Sequence, residues 1–259
     1  MVRDVDRSSS RWPAVVAERH EGYRSAVEPT PGRLAAVCVS KRPDELNNVI
    51  ENIRRQSRAP DEFIFVTNSA DFSRAEVAHA LAGLDGVVTR THLVTSDPTL
   101  TLGECLNLGL DLADGRFIAK FDDDDRYGAD YLADALRAHA VSHAAIVGKH
   151  THYALLERDQ RLVMRFPGRE FAFSAHLAGG TLLFDRELTG DIRFEPISIG
   201  EDRALIRACH RRGLSSFSGD RFNYLQVRTG ENTWSVPDEI YLRDALEVGH
   251  GSDLPSVER

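Results

Sequence analysis

The sequence predicts an α/β protein, with a doubly wound, mostly parallel sheet in its first half and a mixed, partly antiparallel second half. Three observations carry this. Short apolar runs alternate with stretches of helical spacing from Leu34 to about Val147, the order that parallel strands with right-handed helical crossovers require. The fourth run, RFIAKF, ends in four consecutive carboxylates, Asp122 to Asp125, as a strand end opening into a loop would. Beyond residue 150 two short apolar runs meet around Asp159-Gln160, which is a hairpin signature.

Residues 1–32 mix Ser, Arg, Pro and Glu with little periodicity and close on Pro29-Thr30-Pro31-Gly32, so they read as an arm or a short helix. LAAVCV, Leu34 to Val39, is the first strand. Pro43 opens a helix with Asp44 and Glu45 in its first turn, where the dipole favours acids, and Leu46, Val49, Ile50 and Ile53 form its buried face. Phe63 to Val66 is the second strand. Ser73 and Glu76 have capping-box spacing ahead of a helix carrying Val77, Leu81 and Leu84. A third strand near Val87 to Val94 leads past Pro98 into a helix with Leu102, Cys105, Leu106 and Leu112, and the acidic strand follows. After it come a helix with Tyr131, Leu132, Ala135 and Leu136, a strand at Ala145 to Val147, and the hairpin of Tyr153 to Leu156 with Leu162 to Phe166. LAGGTLLF sets Gly179-Gly180 before another apolar run, and Ala204, Leu205 and Ala208 give a helix closed by Gly213. The main domain is expected over 33–235, and 236–259 is expected to be a C-terminal helix and tail, from the spacing of Ile240, Leu242 and Leu246. That helix would cap the sheet or support a homodimer.

The 259 residues, 42% hydrophobic and 28% charged, are enough for one large core or two small ones. A net charge of −8 argues against nucleic acid as a partner. No run is long enough for a transmembrane segment and the N-terminus lacks the apolar core of a signal peptide, so a cytoplasmic protein is expected. Cys38, Cys105 and Cys209 are widely spaced among apolar residues and read as buried thiols.

Four adjacent acids at a strand end repel one another where water screens poorly, and so call for a cation. An EF-hand loop is excluded, because its sixth and twelfth positions would be Tyr127 and Ala133. Hard oxygen ligands suit Mg²⁺ or Mn²⁺, which keep positions for phosphate oxygens, so a phosphorylated ligand follows. A solvated acidic turn is the plain alternative. The preceding Asp114-Gly115 and the β-like run favour a strand end, where α/β proteins bind ligands.

The order of these elements, with LNLGLDLADGRFIAKFDDDDRY, AGGTLLF and GEDRALIRACHRRG in sequence, resembles the inverting family 2 glycosyltransferases of GT-A fold. The resemblance covers about Leu34 to Trp234. Its specific parts are the spacing of Asn107, Gly109 and Gly115 ahead of the D-x-D acids and the Glu-Asp pair opening a basic, Gly-ended helix. It implies a metal-dependent transferase that moves a sugar from a nucleotide-diphosphate donor, a UDP-sugar by slight preference, to an unidentified acceptor hydroxyl. By the same resemblance Asp122 and Asp124 hold Mn²⁺ or Mg²⁺, and Asp202 is the general base. Ser40, Arg42, Asn68, Asn107, Asp122 and Asp123 bind the donor, while Gly179, Gly180, Thr181 and Glu201 line the acceptor side. Transfer needs charge neutralised on a departing diphosphate and a carboxylate near the attacking hydroxyl, and these residue types supply both.

Several positions depart from the family pattern. Thr67-Asn68 stand where many members carry a base-reading Asp, and Leu106 where an Arg is common. After Arg228, Glu231 and Asn232 occupy the region of an expected His, so His150, His152 and His176 become candidates for a third metal ligand. A haloacid-dehalogenase-type phosphotransferase is disfavoured by Arg126, and a nucleotidyltransferase by the absence of a Gly-rich loop in CVSKRPDEL. A non-catalytic nucleotide- or glycan-binding protein on the same fold remains the alternative.

Overall fold

The computed structural model describes residues 20–229 and 236–251. Residues 20–26 form a helix, α1. Then come β1 (Leu34–Ser40), a 3-10 turn (Pro43–Glu45), α2 (Leu46–Arg54), β2 (Glu62–Thr67), α3 (Arg74–Ala82), β3 (Arg90–Thr95), α4 (Leu102–Leu112), β4 (Phe117–Asp122), β5 (Arg126–Tyr127) and α5 (Tyr131–Ser142). The second half runs β6 (Ile146–Gly148), β7 (His152–Leu156), β8 (Arg161–Arg165), β9 (Ala172–Phe173), a 3-10 turn (Gly179–Thr181), β10 (Leu183–Asp185), α6 (Arg186–Thr189), α7 (Glu201–Arg211), β11 (Ser216–Ser218), β12 (Tyr224–Arg228), α8 (Asp238–Tyr241) and β13 (Ala245–His250).

An eight-stranded sheet has the order β3-β2-β1-β4-β10-β6-β11-β9. Its first four strands are parallel, with Val39 beside both Val66 and Asp122, so their carboxyl ends share one edge. β10 runs antiparallel between β4 and β6. Alternate residues of each strand feed separate cores. Ala36 and Cys38 pack with Val49, Ile53 and Leu132 beneath α2 and α5, whereas Ala35 and Val37 pack with Leu106, Leu110 and Leu205 beneath α4 and α7. Gly109 lets α4 lie against β1, since a Cβ there would be 2.5 Å from Val37 Cγ1.

A second sheet, β13-β8-β7-β12-β5, is mostly antiparallel and contains the expected hairpin as β7–β8. β5 joins it to the acidic loop by pairing Tyr127 with Tyr224. The helix expected through Ile240, Leu242 and Leu246 is confined to α8. From Ala245 the chain is a strand paired with β8, because Leu246 and Val248 alternate along a sheet edge rather than spiralling on a helix face. The third strand begins at Arg90, after a turn with Gly86 at φ +80°, rather than at Val87. Residues 1–19 of the expected arm, Glu231, Asn232 and Trp234 lie outside the described residues. The three cysteines are buried and unpaired. Among the described residues no helix is long and apolar enough to cross a membrane.

Candidate active site

The carboxyl edge of β1, β2 and β4 gathers Ser40, Arg42, Asn68 and Asp122 to Asp124. Ser40 donates to Asp123 Oδ2 at 2.5 Å, and Arg42 donates to both Asp123 oxygens and reaches Asp124 Oδ2 at 2.9 Å. The Asn68 amide, at the end of β2, donates to Ser96 Oγ (3.1 Å) and to the Asp97 carbonyl (2.8 Å). The acids alternate in setting. Asp123 and Asp125 are buried, while Asp122 and Asp124 are more open. Asp125 accepts from Tyr224 Oη (2.6 Å) and the Val227 amide (3.0 Å), and burial beside Asp124 and Asp122 pushes its carboxyl well above the ordinary range. Asn48 and Asn52 on α2 hold the loop's backbone, Asn48 donating to the Asp123 and Asp125 carbonyls and Asn52 to that of Asp125.

The second half closes over these acids. Gly180 takes the Tyr127 hydroxyl on its carbonyl at 2.7 Å, and the Asp122 amide donates to the same tyrosine oxygen at 2.8 Å. Gly200, at φ +88°, caps α7 and turns Glu201 and Asp202 toward the site. A Cβ on Gly179 would overlap Asp202 Oδ2, so the turn and the carboxylate are in direct contact. Between them lies Lys120, a buried lysine that the sequence reading passed over. Its Nζ is 2.6 Å from Asp122 Oδ1, 3.3 Å from the Gly179 carbonyl and 3.4 Å from Asp202 Oδ2. Asp202 Oδ1 is buried without a hydrogen-bond partner. Desolvation and the charge of Asp202 raise the Glu201 carboxyl to about 8, and desolvation raises Asp202 as well.

Two sequence candidates do not face this point. Asn107 donates to the Phe194 carbonyl (2.9 Å) and accepts from its amide (3.0 Å), tying α4 to the segment before α7. Thr181 Oγ1 accepts from the Lys149 amide and donates to the Ala178 carbonyl, which leaves it turned into the core. The candidate histidines have other surroundings. His152 is buried against Tyr224 and Phe166, and desolvation lowers it to about 4, whereas His150 bonds Ser174. Tyr127, Tyr224, Asn48 and Asn52 were also missed, and only Lys120 carried a signal, as a charge inside an apolar run two residues before Asp122.

The acids fit a divalent cation by charge. Asp122 and Asp124 present carboxylate oxygens at the more open positions of the loop, and the acids gathered here outnumber Lys120 and Arg42. Gly180 adds room, because a side chain there would press within 2.9 Å of Asp122 Oδ2. A second group, His20, Asp134 and Asp220, has suitable ligand types but not the charge. Arg24 and Arg137 already engage Asp134, and Lys149 engages Asp220 at 3.0 Å. Arg24, Arg137 and Lys149 already neutralise these carboxylates together with Asp130, and the group instead clasps α1 onto α5.

The family model for glycosyl transferase family 2 matches residues 35–196. No curated protein sequence matches. Among solved structures, the mannosyltransferase PcManGT from Pyrobaculum calidifontis in complex with GDP-Man and Mn²⁺ is similar at a TM-score of 0.61 and 16% identity, over 85% of this chain and 65% of that one. S. aureus TarS 1–349 in complex with UDP-GlcNAc has a TM-score of 0.61 and 14% identity, over 81% of this chain and 63% of that one. This chain thus spans less than two thirds of either structure, and the likeness is one of fold.

Proposed function

The chain belongs to glycosyl transferase family 2, and from that premise we propose that it transfers a sugar from a nucleotide-diphosphate donor to an acceptor hydroxyl, with Asp202 as general base. The observation that carries this is the convergence of Asp122, Lys120, Gly179 and Asp202, with one Asp202 oxygen buried and unpartnered. Such an oxygen costs free energy unless a ligand donor meets it, and an incoming hydroxyl is such a donor.

Asp122 and Asp124 would hold Mn²⁺ or Mg²⁺, which when bound neutralises charge on the departing diphosphate. Arg42 orients Asp123 and Asp124, and Ser40 fixes Asp123 from the other side. Glu201, raised to about 8 beside Asp202, supports the acceptor side. A base that takes the hydroxyl proton as the diphosphate leaves gives displacement with inversion. Asn68 suits a uridine, thymidine or guanosine donor better than a cytidine one. Both amide hydrogens are engaged, leaving Oδ1 as an acceptor for a ring N–H, which uracil, thymine and guanine have at that edge and cytosine lacks. Three unpaired buried thiols suit a reducing, cytoplasmic setting, and the exposed Leu246 and Val248 on the outer strand of the second sheet suit a homodimer.

The test is calorimetry of UDP, GDP, TDP and CDP with and without Mn²⁺, in wild type, Asp124→Ala and Asp202→Asn. One nucleotide should bind tightly, and only with the metal and Asp124. Asp202→Asn should keep that affinity while turnover of the matching nucleotide sugar falls by at least about a hundredfold. Unchanged turnover removes Asp202 from the base role, and binding without turnover in wild type leaves a binding protein.

A further inference from the structure

Lys120 touches both halves of the site. On β4 its side chain shares a face with Ile118 and Asp122, and the neighbouring Ile118 packs into the core beneath α4 and α7. A lysine in such a strand loses hydration for its ammonium, which is tolerated only where fixed anions replace the water. Three oxygens do so here, and their distances are unequal. Nζ is closest to Asp122 Oδ1 at 2.6 Å, while Asp202 Oδ2 and the Gly179 carbonyl lie at 3.4 and 3.3 Å. The ammonium is therefore committed to the donor-side acid and only loosely to the acceptor-side acid. The Asp202 oxygen facing it is Oδ2, and the oxygen left without a partner is Oδ1.

We propose that Lys120 is a positioning residue that transfers its hold from Asp122 to Asp202 as the donor site fills. While that site is empty the ammonium neutralises Asp122. Once a divalent cation takes Asp122, the same oxygen no longer offers the ammonium full charge, and Asp202 Oδ2 becomes its better partner across a short gap. That contact turns Oδ1 to the acceptor side and keeps Oδ2 out of the reaction. Donor loading and base alignment are thereby linked through one side chain, so a hydroxyl meets an aligned base only when a donor is present. This rests on the transferase reading above for the role of Asp202, but the competition at Asp122 does not need it.

Three proteins carry the metal titration: wild type, Lys120→Met and, should the methionine variant fail to fold, Lys120→Gln. Titration with Mn²⁺ alone reads the competition. Removing the ammonium should tighten Mn²⁺ binding about tenfold, within the usual range of coupling between neighbouring sites. Unchanged affinity, or no Mn²⁺ binding by any of the three, overturns the proposal. Turnover reads the second half. In wild-type background Lys120→Met should lower kcat about a hundredfold with little change in donor KM, and in an Asp202→Asn background it should cost nothing further. Additive losses would show that Lys120 does not act through Asp202. A wild type that consumes no nucleotide sugar sinks the transferase reading, and the Mn²⁺ comparison still decides whether Lys120 is shared.

Discussion

One methyl group at Gly179 probes the proposed base, Asp202, without changing a charge. Gly179 and Gly180 lie in a 3-10 turn and neither has a positive φ, so the alanine backbone is tolerated at both and any effect is steric. At Gly179 the added Cβ would overlap Asp202 Oδ2. Restoring an ordinary separation of about 3.5 Å requires the carboxylate to move by more than about 1 Å, a misplacement that costs about a hundredfold in turnover. At Gly180 the Cβ would lie 2.8 Å from Asp125 Oδ2 and 2.9 Å from Asp122 Oδ2 and Tyr224 Oη, so the donor acids must yield instead. Adjacent substitutions thus separate the two functions. Gly179→Ala should lower kcat about a hundredfold while nucleoside diphosphate affinity with Mn²⁺, read by calorimetry, stays within about threefold. Gly180→Ala should weaken that affinity about tenfold, since small displacements of charged ligands are felt directly. A folded Gly179→Ala protein with wild-type kcat would refute the reasoning, because the displaced carboxylate could not then be the base.

Two further outcomes follow from groups around the site. The Glu201 carboxyl is raised to about 8 in the fold, so between its ordinary 4.5 and that value the folded chain keeps a proton that the unfolded chain has released. Stability contributed there is lost as pH rises through this window, and Asp134, raised to about 6, adds to the same slope. Glu201→Gln should melt near wild type at about pH 5 and above it at about pH 9, and equal melting temperatures at the higher pH would oppose the assignment. Asn107→Ala breaks both bonds to the Phe194 backbone and should cost about 1–3 kcal/mol in denaturant unfolding without altering nucleotide affinity. A weakened affinity at unchanged stability would return Asn107 to the donor site.

What the sequence could express was local. β1, β2 and β4 are buried on both faces and so read as largely apolar runs, and α2 announces itself by Val49, Ile50 and Ile53 and by the proline before it. The four acids were legible for the same reason, being contiguous. β13 was not, because Ile240, Leu242 and Leu246 match helical spacing while the strand is fixed by pairing with β8, which lies some eighty residues earlier. Chemistry shared across such distances has no local trace. Asn107 looked like a ligand residue because nothing near it shows Phe194, and Lys120 looked like a stray charge because Asp202 is 82 positions away. The alternation inside the acidic run shows where the two kinds of information meet. A period of two already separates Asp122 and Asp124 from Asp123 and Asp125, but only Arg42, Tyr224 and the α2 asparagines decide which pair is spent on holding the loop. The more open pair faces cations instead, Lys120 at Asp122 and Arg42 at Asp124, so a loop of identical residues is held by one pair and presents charge with the other.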